Sequence, residues 1–299
     1  MTSFLILALV AGLAPAVDQC VQCTDAALCQ AHLSAQSAAA KALKPKLRGG
    51  APADRVEALQ GLARLSGEHS SVPSAEIAEM VASALGDESL PVRAEAAKLL
   101  AIDLHPEVAV RSLVKALDEV RGEIGKLGFG GGGGRFGPPT DEDEKDPKVA
   151  ERRKLREETM SFARAVVDGL GKLPDDRCVE SLADLLRQLT RRTGGELIEP
   201  VAQGLLNLES RPAIEALVQK IKAAGTGGGD AGGRWGPDTT GKTLHDLLTK
   251  AVAARGLSET PAWSTKDPPD WDKWFARNQK QFPAKLGKYD LAKMRKLRA

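Results

Sequence analysis

One stretch of helix-forming sequence occurs twice in the chain. Residues 55–63, RVEALQGLA, align with residues 93–101, RAEAAKLLA, at an offset of 38 residues. Both place apolar side chains at the three- and four-residue spacing of a helix with one buried face. A period of about 40 residues is the length of a two-helix unit, which cannot bury its apolar face alone. The recurrence therefore predicts an all-α fold in which successive helix pairs stack.

Residues 85–100, LGDESLPVRAEAAKLL, resemble the signature of HEAT repeats. A turn aspartate, Asp87, precedes Val92-Arg93, and Ala96-Ala97 and a leucine follow on the second helix. Small alanines let neighbouring helices approach closely, and valine and leucine fill the seam between repeats. The resemblance implies a HEAT-like α-solenoid over residues 51–258, a right-handed superhelix of antiparallel helix pairs.

Other segments show the same helical spacing. A first helix is expected to end near Lys44-Pro45, and the Gly49-Gly50-Ala51-Pro52 sequence is expected to be a linker. That first helix spans about residues 24–43, and the further predicted helices span about residues 106–126, 149–172, 176–189, 197–208, 212–223 and 243–255.

The first sixteen residues are typical of a secretory signal peptide. They contain no charge, an apolar run over residues 4–13, and the small-residue pattern Ala14-Pro15-Ala16, so cleavage is expected after Ala16. An uncleaved anchor is the alternative, but the run is shorter than the ~20 residues that span a bilayer. The residues before Cys20 do not resemble those before a lipidated cysteine. We expect an exported protein, periplasmic or extracellular, that is soluble after cleavage.

Export makes disulfides the expected state of the four cysteines. Three lie in an N-terminal helical segment over residues 17–50, and we favour one bridge within that cluster and one from it to the fourth cysteine, Cys178. Free thiols and a zinc site including His32 are the alternatives. Haem attachment is disfavoured because Thr24, not histidine, follows the Cys-x-x-Cys pair. The cluster consists of Cys20, Cys23 and Cys29.

Half of the thirty glycines lie in two tracts, within loops at about residues 127–147 and 225–241. Each tract contains the same motif, GGR-aromatic-GP, at residues 133–138 and 232–237, 99 residues apart. Equivalent loops of a stack emerge on one face, and arginine beside an aromatic ring is enriched at interaction hot spots. The predicted partner-binding residues are Arg135, Phe136, Arg234 and Trp235. The alternative is that both loops are spacers.

Residues 236–243, GPDTTGKT, match the letters of a phosphate-binding P-loop. A P-loop needs a preceding buried strand, and the sequence before Gly236 is glycine-rich instead. We therefore expect no nucleotide and no cofactor, with Thr240 or Thr243 near the start of the next helix. The other histidines, including His245, are isolated and expected at the surface or in turns. No catalytic or metal-binding arrangement is recognisable, so we predict that the chain is not an enzyme.

The C-terminal residues 259–299 contain six of the eleven aromatic residues and most of the excess positive charge. Trp271, Trp274 and Phe275 resemble a terminal element of exported bacterial HEAT proteins, and we expect them to cap the last repeat. A peptide-binding aromatic patch is the alternative. From Trp271 onward the net charge is about +7, carried in part by Lys285, Lys288, Lys293, Arg295, Lys296 and Arg298.

These patterns predict a non-catalytic scaffold for a protein partner. The alternative functions are binding of a polyanion or an anionic surface through the basic tail, and an accessory role for an envelope enzyme. Export argues against nucleic acid as the physiological target.

Overall fold

Helix-forming spacing dominates the sequence, and the structure, a computed structural model, is helical accordingly. It describes residues 26–66, 75–102, 105–129, 147–190, 194–226, 240–257, 259–263 and 269–288. Within these ranges there are eleven α-helices and no β-strand. The prediction of an all-α fold is confirmed for this part of the chain. The helices are α1 Ala26–Gly49, α2 Pro52–Ser66, α3 Ala75–Ser83, α4 Leu90–Leu100, α5 Pro106–Phe129, α6 Pro147–Leu170, α7 Asp176–Gln188, α8 Ile198–Leu208, α9 Arg211–Thr226, α10 Thr240–Ala254 and α11 Trp271–Asn278.

The chain forms two compact units, which divide inside α5 between Ser112 and Leu113. In the first unit α2 packs against α1, α3 and α4. Its core is aliphatic and includes Leu59, Leu62 and Ile77, none of which has measurable exposure. This is the pattern expected of amphipathic helices that bury one stripe each.

The turn before α4 is tied to α2 by a largely buried ion pair. Arg55 lies on α2, and its guanidinium is 3.0 Å from Asp87 Oδ1. The same carboxylate oxygen accepts a hydrogen bond of 2.7 Å from the backbone N–H of Ser89, just before α4 begins. Asp87 therefore orders the start of one helix and links it to another.

In the second unit, helices α6 to α9 each contact the next helix along the chain and also the one after it. The contacts join α6 to α7 and α8, α7 to α8 and α9, α8 to α9 and α10, and α9 to α10 and α11. Glycines permit one close approach, since a Cβ atom on Gly171 would lie only 2.6 Å from the Cα of Gly204. The core between α6 and α10 is mainly aliphatic, and Phe162 on α6 is a buried aromatic side chain within it.

Two local predictions were wrong. The first helix does not end near Pro45 but continues to Gly49, because Leu43 packs beside Gly61 on α2 and this tertiary contact holds the last turns. Helix α3 was not predicted, although Ile77, Ala78 and Val81 repeat at helical spacing on its buried face. No helix in the described residues is long and apolar enough to cross a membrane.

Candidate functional site: the C-terminal segment

Only some of the predicted site residues lie in the described part of the chain. The four loop residues Arg135, Phe136, Arg234 and Trp235 lie outside it, as do Cys20 and Cys23. Cys29 and His32 belong to α1, but the structure describes only their place in the helix and not their side chains. The twin-loop surface, the N-terminal disulfide and the zinc alternative therefore stay predictions. Within the described residues, no group of histidine, cysteine and carboxylate side chains could hold a metal ion.

The aromatic residues of α11 face the protein interior. Trp271 and Trp274 are 2% and 0% exposed, and Phe275 is half-buried. The rings of Trp271 and Trp274 meet edge to face, with centroids 5.1 Å apart. Asp270 starts the helix by accepting a hydrogen bond of 3.1 Å from the backbone N–H of Lys273. Because both tryptophans are enclosed, they cannot form a peptide-binding patch at the surface.

His245 on α10 is the polar centre of this aromatic cluster. It is 5% exposed, and its ring centroid lies 5.3 Å from that of Trp263 and 5.6 Å from that of Trp271. The expectation of a surface or turn histidine was wrong. His245 lies four residues after Gly241, on the face of α10 that also contains the buried side chains of Leu244 and Leu248. Its place in that apolar register is the sequence signal that could have identified it.

A hydrogen bond determines the tautomer of the neutral His245 ring. The indole Nε1–H of Trp271 donates to His245 Nδ1 over 3.1 Å. Nδ1 is therefore an acceptor, and a neutral ring must carry its proton on Nε2, which faces Thr249 Oγ1 at 3.5 Å. Burial lowers the pKa of His245, since a charged imidazolium would lose solvation among the rings. This histidine holds the C-terminal segment in place and is not presented to a substrate.

The aromatic cluster continues beyond α11 to Phe282. The Phe282 ring is 3% exposed and 6.4 Å from Trp274, measured between centroids. The guanidinium carbon of Arg255 lies 5.1 Å from the Phe282 centroid, a cation–π distance. Arg255 also donates from Nε to Glu209 Oε1 at 3.1 Å. These contacts join the residues after α11 to the ends of α8 and α10.

Residues 279–288, which we call the terminal strap, are attached to the N-terminal ends of α9 and α7. The backbone N–H of Arg211 donates to the carbonyl of Pro283 at 2.9 Å. The carboxylate of Asp176 accepts from the backbone N–H groups of Leu286 at 2.8 Å and Gly287 at 3.2 Å. Gly287 has a φ of +78°, a value that glycine adopts without a side-chain penalty. Sequence reasoning missed this attachment because its partners are more than 70 residues apart.

The P-loop-like residues that are described have structural roles. Gly241 lies against Trp263, and a Cβ atom there would be 3.0 Å from the ring. Lys242 pairs with Asp246 at 2.5 Å along the helix surface. Helix α10 begins at Thr240, three residues before the predicted start. The remaining residues of the string, 236–239, lie outside the description.

Cys178 is a buried thiol on α7. Its side chain has no measurable exposure, and burial raises the pKa of the thiol to about 12, with the nearby carboxylate of Asp175 adding to the shift. A thiol with this pKa is protonated at neutral pH and is a poor nucleophile. The predicted bridge to Cys178 stays a prediction.

Comparisons with known proteins identify no family. No family model matches the chain, and no curated protein is significantly similar to it in sequence. Among solved structures, the chain is similar to an engineered protein of the Northeast Structural Genomics Consortium, with 18% identity and a TM-score of 0.33. That alignment covers 80% of this chain and 95% of the other. A likeness this weak implies nothing about function, which must be inferred from the chain's own residues.

Proposed function

We propose that the protein is a non-catalytic scaffold that binds a protein partner along a HEAT-like α-helical repeat surface. The observation that supports this most is the contact pattern of α6 to α11, in which helices pack against neighbours one and two places along the chain. Alternation of this kind is expected when helix pairs stack in two layers. Such a stack offers a partner a modest area on each repeat and adds it over several repeats.

The chemistry of the buried polar residues favours an interaction role. His245 accepts a hydrogen bond from Trp271 inside an aromatic cluster, and Cys178 is a protonated thiol in the core. Each of these reactive residue types is used in packing and is enclosed by it. In a scaffold, a buried histidine and a buried cysteine need only pack the helices together, which is the role that these two residues have.

Export is the second part of the proposal. It is supported by the uncharged, apolar residues 1–16 and the Ala14-Pro15-Ala16 pattern. Expression of the full chain with its native start should yield a mature protein that begins at Val17. Intact mass and N-terminal sequencing of the protein outside the cytoplasm would measure this, and recovery of only the full-length chain from the cytoplasm would contradict it.

The recognition residues proposed are the twin loop pairs Arg135-Phe136 and Arg234-Trp235. The test is affinity capture from the native envelope with four alanine substitutions at these positions. A matched control carries four alanines at exposed positions, two arginines and two large apolar residues. Three of these lie on helices, Arg48, Arg152 and Leu155, and Ile102 lies in the bend after α4. Both variants should keep the helicity and melting temperature of the wild type.

A protein recovered with the wild type and the control, but not with the loop variant, would support the twin loops as the recognition surface. Equal recovery with all three would reduce the loops to spacers and leave the helical surface as the binding site. The scaffold proposal itself fails if the wild type retains no protein specifically, or if the pure protein catalyses a reproducible hydrolysis.

A further inference from the structure

The chain from Lys273 to Lys288 is strongly basic. These residues include five lysines and arginines and no acidic residue. A run of one sign is usually a solvated tail. Here most of the run is fixed in the fold, because α11 is buried through its tryptophans and the terminal strap is hydrogen-bonded to Arg211 and Asp176. Its charges are therefore held at defined positions.

The strap also lies at the positive ends of two helices. It bonds to the backbone N–H of Arg211, the first residue of α9, and to that of Asp176, the first residue of α7. The N-terminal turn of a helix carries a partial positive charge. The strap lysines and the two helix ends therefore contribute positive potential to the same part of the second unit. The carboxylates of Asp175 and Asp176, at the start of α7, are negative groups close to it.

Three lysines of the strap, Lys280, Lys285 and Lys288, are exposed and have no acidic partner in the described residues. The two earlier cations differ, since Lys273 pairs with Asp270 at 2.6 Å and Arg277 with Glu259 at 3.6 Å. The positive charge of the strap is thus left for an external anion.

We propose that Lys280, Lys285 and Lys288 dock an acidic segment of a protein partner. This proposal rests on the scaffold function proposed above and assigns it a partner chemistry. Single-stranded nucleic acid would need exposed rings for stacking beside these lysines, but Phe282, the aromatic ring of the strap, is buried. A membrane surface would be favoured by apolar side chains beside the charges, and the exposed strap residues that are not charged are glutamine, proline, alanine and glycine.

The test uses fluorescence anisotropy at low salt to measure how tightly a short fluorescein-labelled oligoglutamate peptide binds the full-length protein. The strap variant replaces the three lysines with glutamine. The matched control replaces three exposed lysines that also lack an acidic partner in the described residues, Lys44, Lys115 and Lys250, so both variants lose the same charge. A third variant replaces Lys293, Arg295 and Lys296 with glutamine.

The strap variant should bind the peptide about tenfold more weakly than the wild type. The control should stay within about twofold of the wild type, as expected for exposed charges that do not contact the peptide. The proposal is overturned if the strap variant and control weaken equally, or if only the third variant loses binding. It is also overturned if the wild type prefers phosphatidylserine vesicles or single-stranded DNA and the strap substitutions weaken only that binding.

The two proposals fail separately. If envelope capture recovers a partner that the strap variant retains fully, the docking assignment is wrong and the scaffold stands. If the strap binds the peptide but no protein is captured from the envelope, the scaffold proposal is wrong.

Discussion

The two buried tryptophans of α11 provide a matched pair for testing the role of one hydrogen bond. Trp271 donates to His245 Nδ1, whereas the Nε1–H of Trp274 is buried with no hydrogen-bond partner among the described residues. The side chains are almost equally buried, at 2% and 0% exposure. Replacement of either with phenylalanine removes the same atoms, so the cavity terms are similar and largely cancel.

The expected magnitude comes from the histidine that loses its donor. In Trp271→Phe, Nδ1 of His245 stays buried without a partner, which costs about 1–3 kcal/mol. Trp274→Phe removes an N–H that is already unpaired, so it loses the packing of the larger ring but no hydrogen bond. We therefore expect Trp271→Phe to lower the free energy of unfolding by about 2 kcal/mol more than Trp274→Phe.

The assay is urea unfolding of the full chain, followed by far-ultraviolet circular dichroism and compared at equal m-values. A double-mutant cycle with His245→Leu adds a second readout, because the extra cost of Trp271→Phe should largely disappear once the acceptor is gone. Equal costs for the two phenylalanine variants, or a larger cost at Trp274, would refute the assigned role of this hydrogen bond.

Three further predictions concern packing and protonation. His245 has a lowered pKa, so the unfolded chain takes up its proton first as the pH falls below about 6.5; the stability advantage of wild type over His245→Leu should shrink between about pH 7 and 5, and a constant difference would contradict this. Gly171→Ala places a Cβ atom 2.6 Å from Gly204 and should destabilise by about 1–3 kcal/mol in thermal unfolding. Gly122→Ala meets no atom within 4 Å in a helix, so it should be neutral or stabilising; equal losses at both glycines would refute the close approach. Cys178 should react with a thiol reagent only after denaturant is added; because the chain has three other cysteines, labelling is located by peptide mapping, and rapid labelling of Cys178 in the native protein would disprove its burial.

Local sequence was sufficient for most helices. Periodic apolar residues and the terminal proline and glycine residues predicted α5 to α10 to within a few residues. The errors arose where long-range contacts decide the outcome. Pro45 stays inside α1 because Leu43 is anchored on α2. Helix α3 has only nine residues before it passes into the 3-10 turn Ala84–Gly86, so its apolar spacing extends over few residues.

The site was harder to predict than the fold, because its contacts join distant residues. Nothing beside His245 in sequence indicates that an indole 26 residues later will donate to it. The attachment of Gly287 to Asp176 crosses more than 100 residues, and each partner taken alone resembles an ordinary turn or helix start. Periodicity predicts which side of a helix is buried, but it does not identify the chain segment that covers that side.

The division between buried rings and exposed charge limits how the C-terminal segment can recognise a partner. Trp271, Trp274 and Phe282 supply the apolar contacts that attach the segment, so these rings are already engaged within the unit. The side chains left exposed between them are Asp272, Lys273, Ala276, Arg277, Lys280 and Gln281, and three of these six are cationic. Since recognition by exposed charge is screened by salt, a partner of this surface should dissociate as ionic strength rises, whereas the attachment of the segment should persist. Loss of both at the same salt concentration would show that the lysines also hold the strap in place.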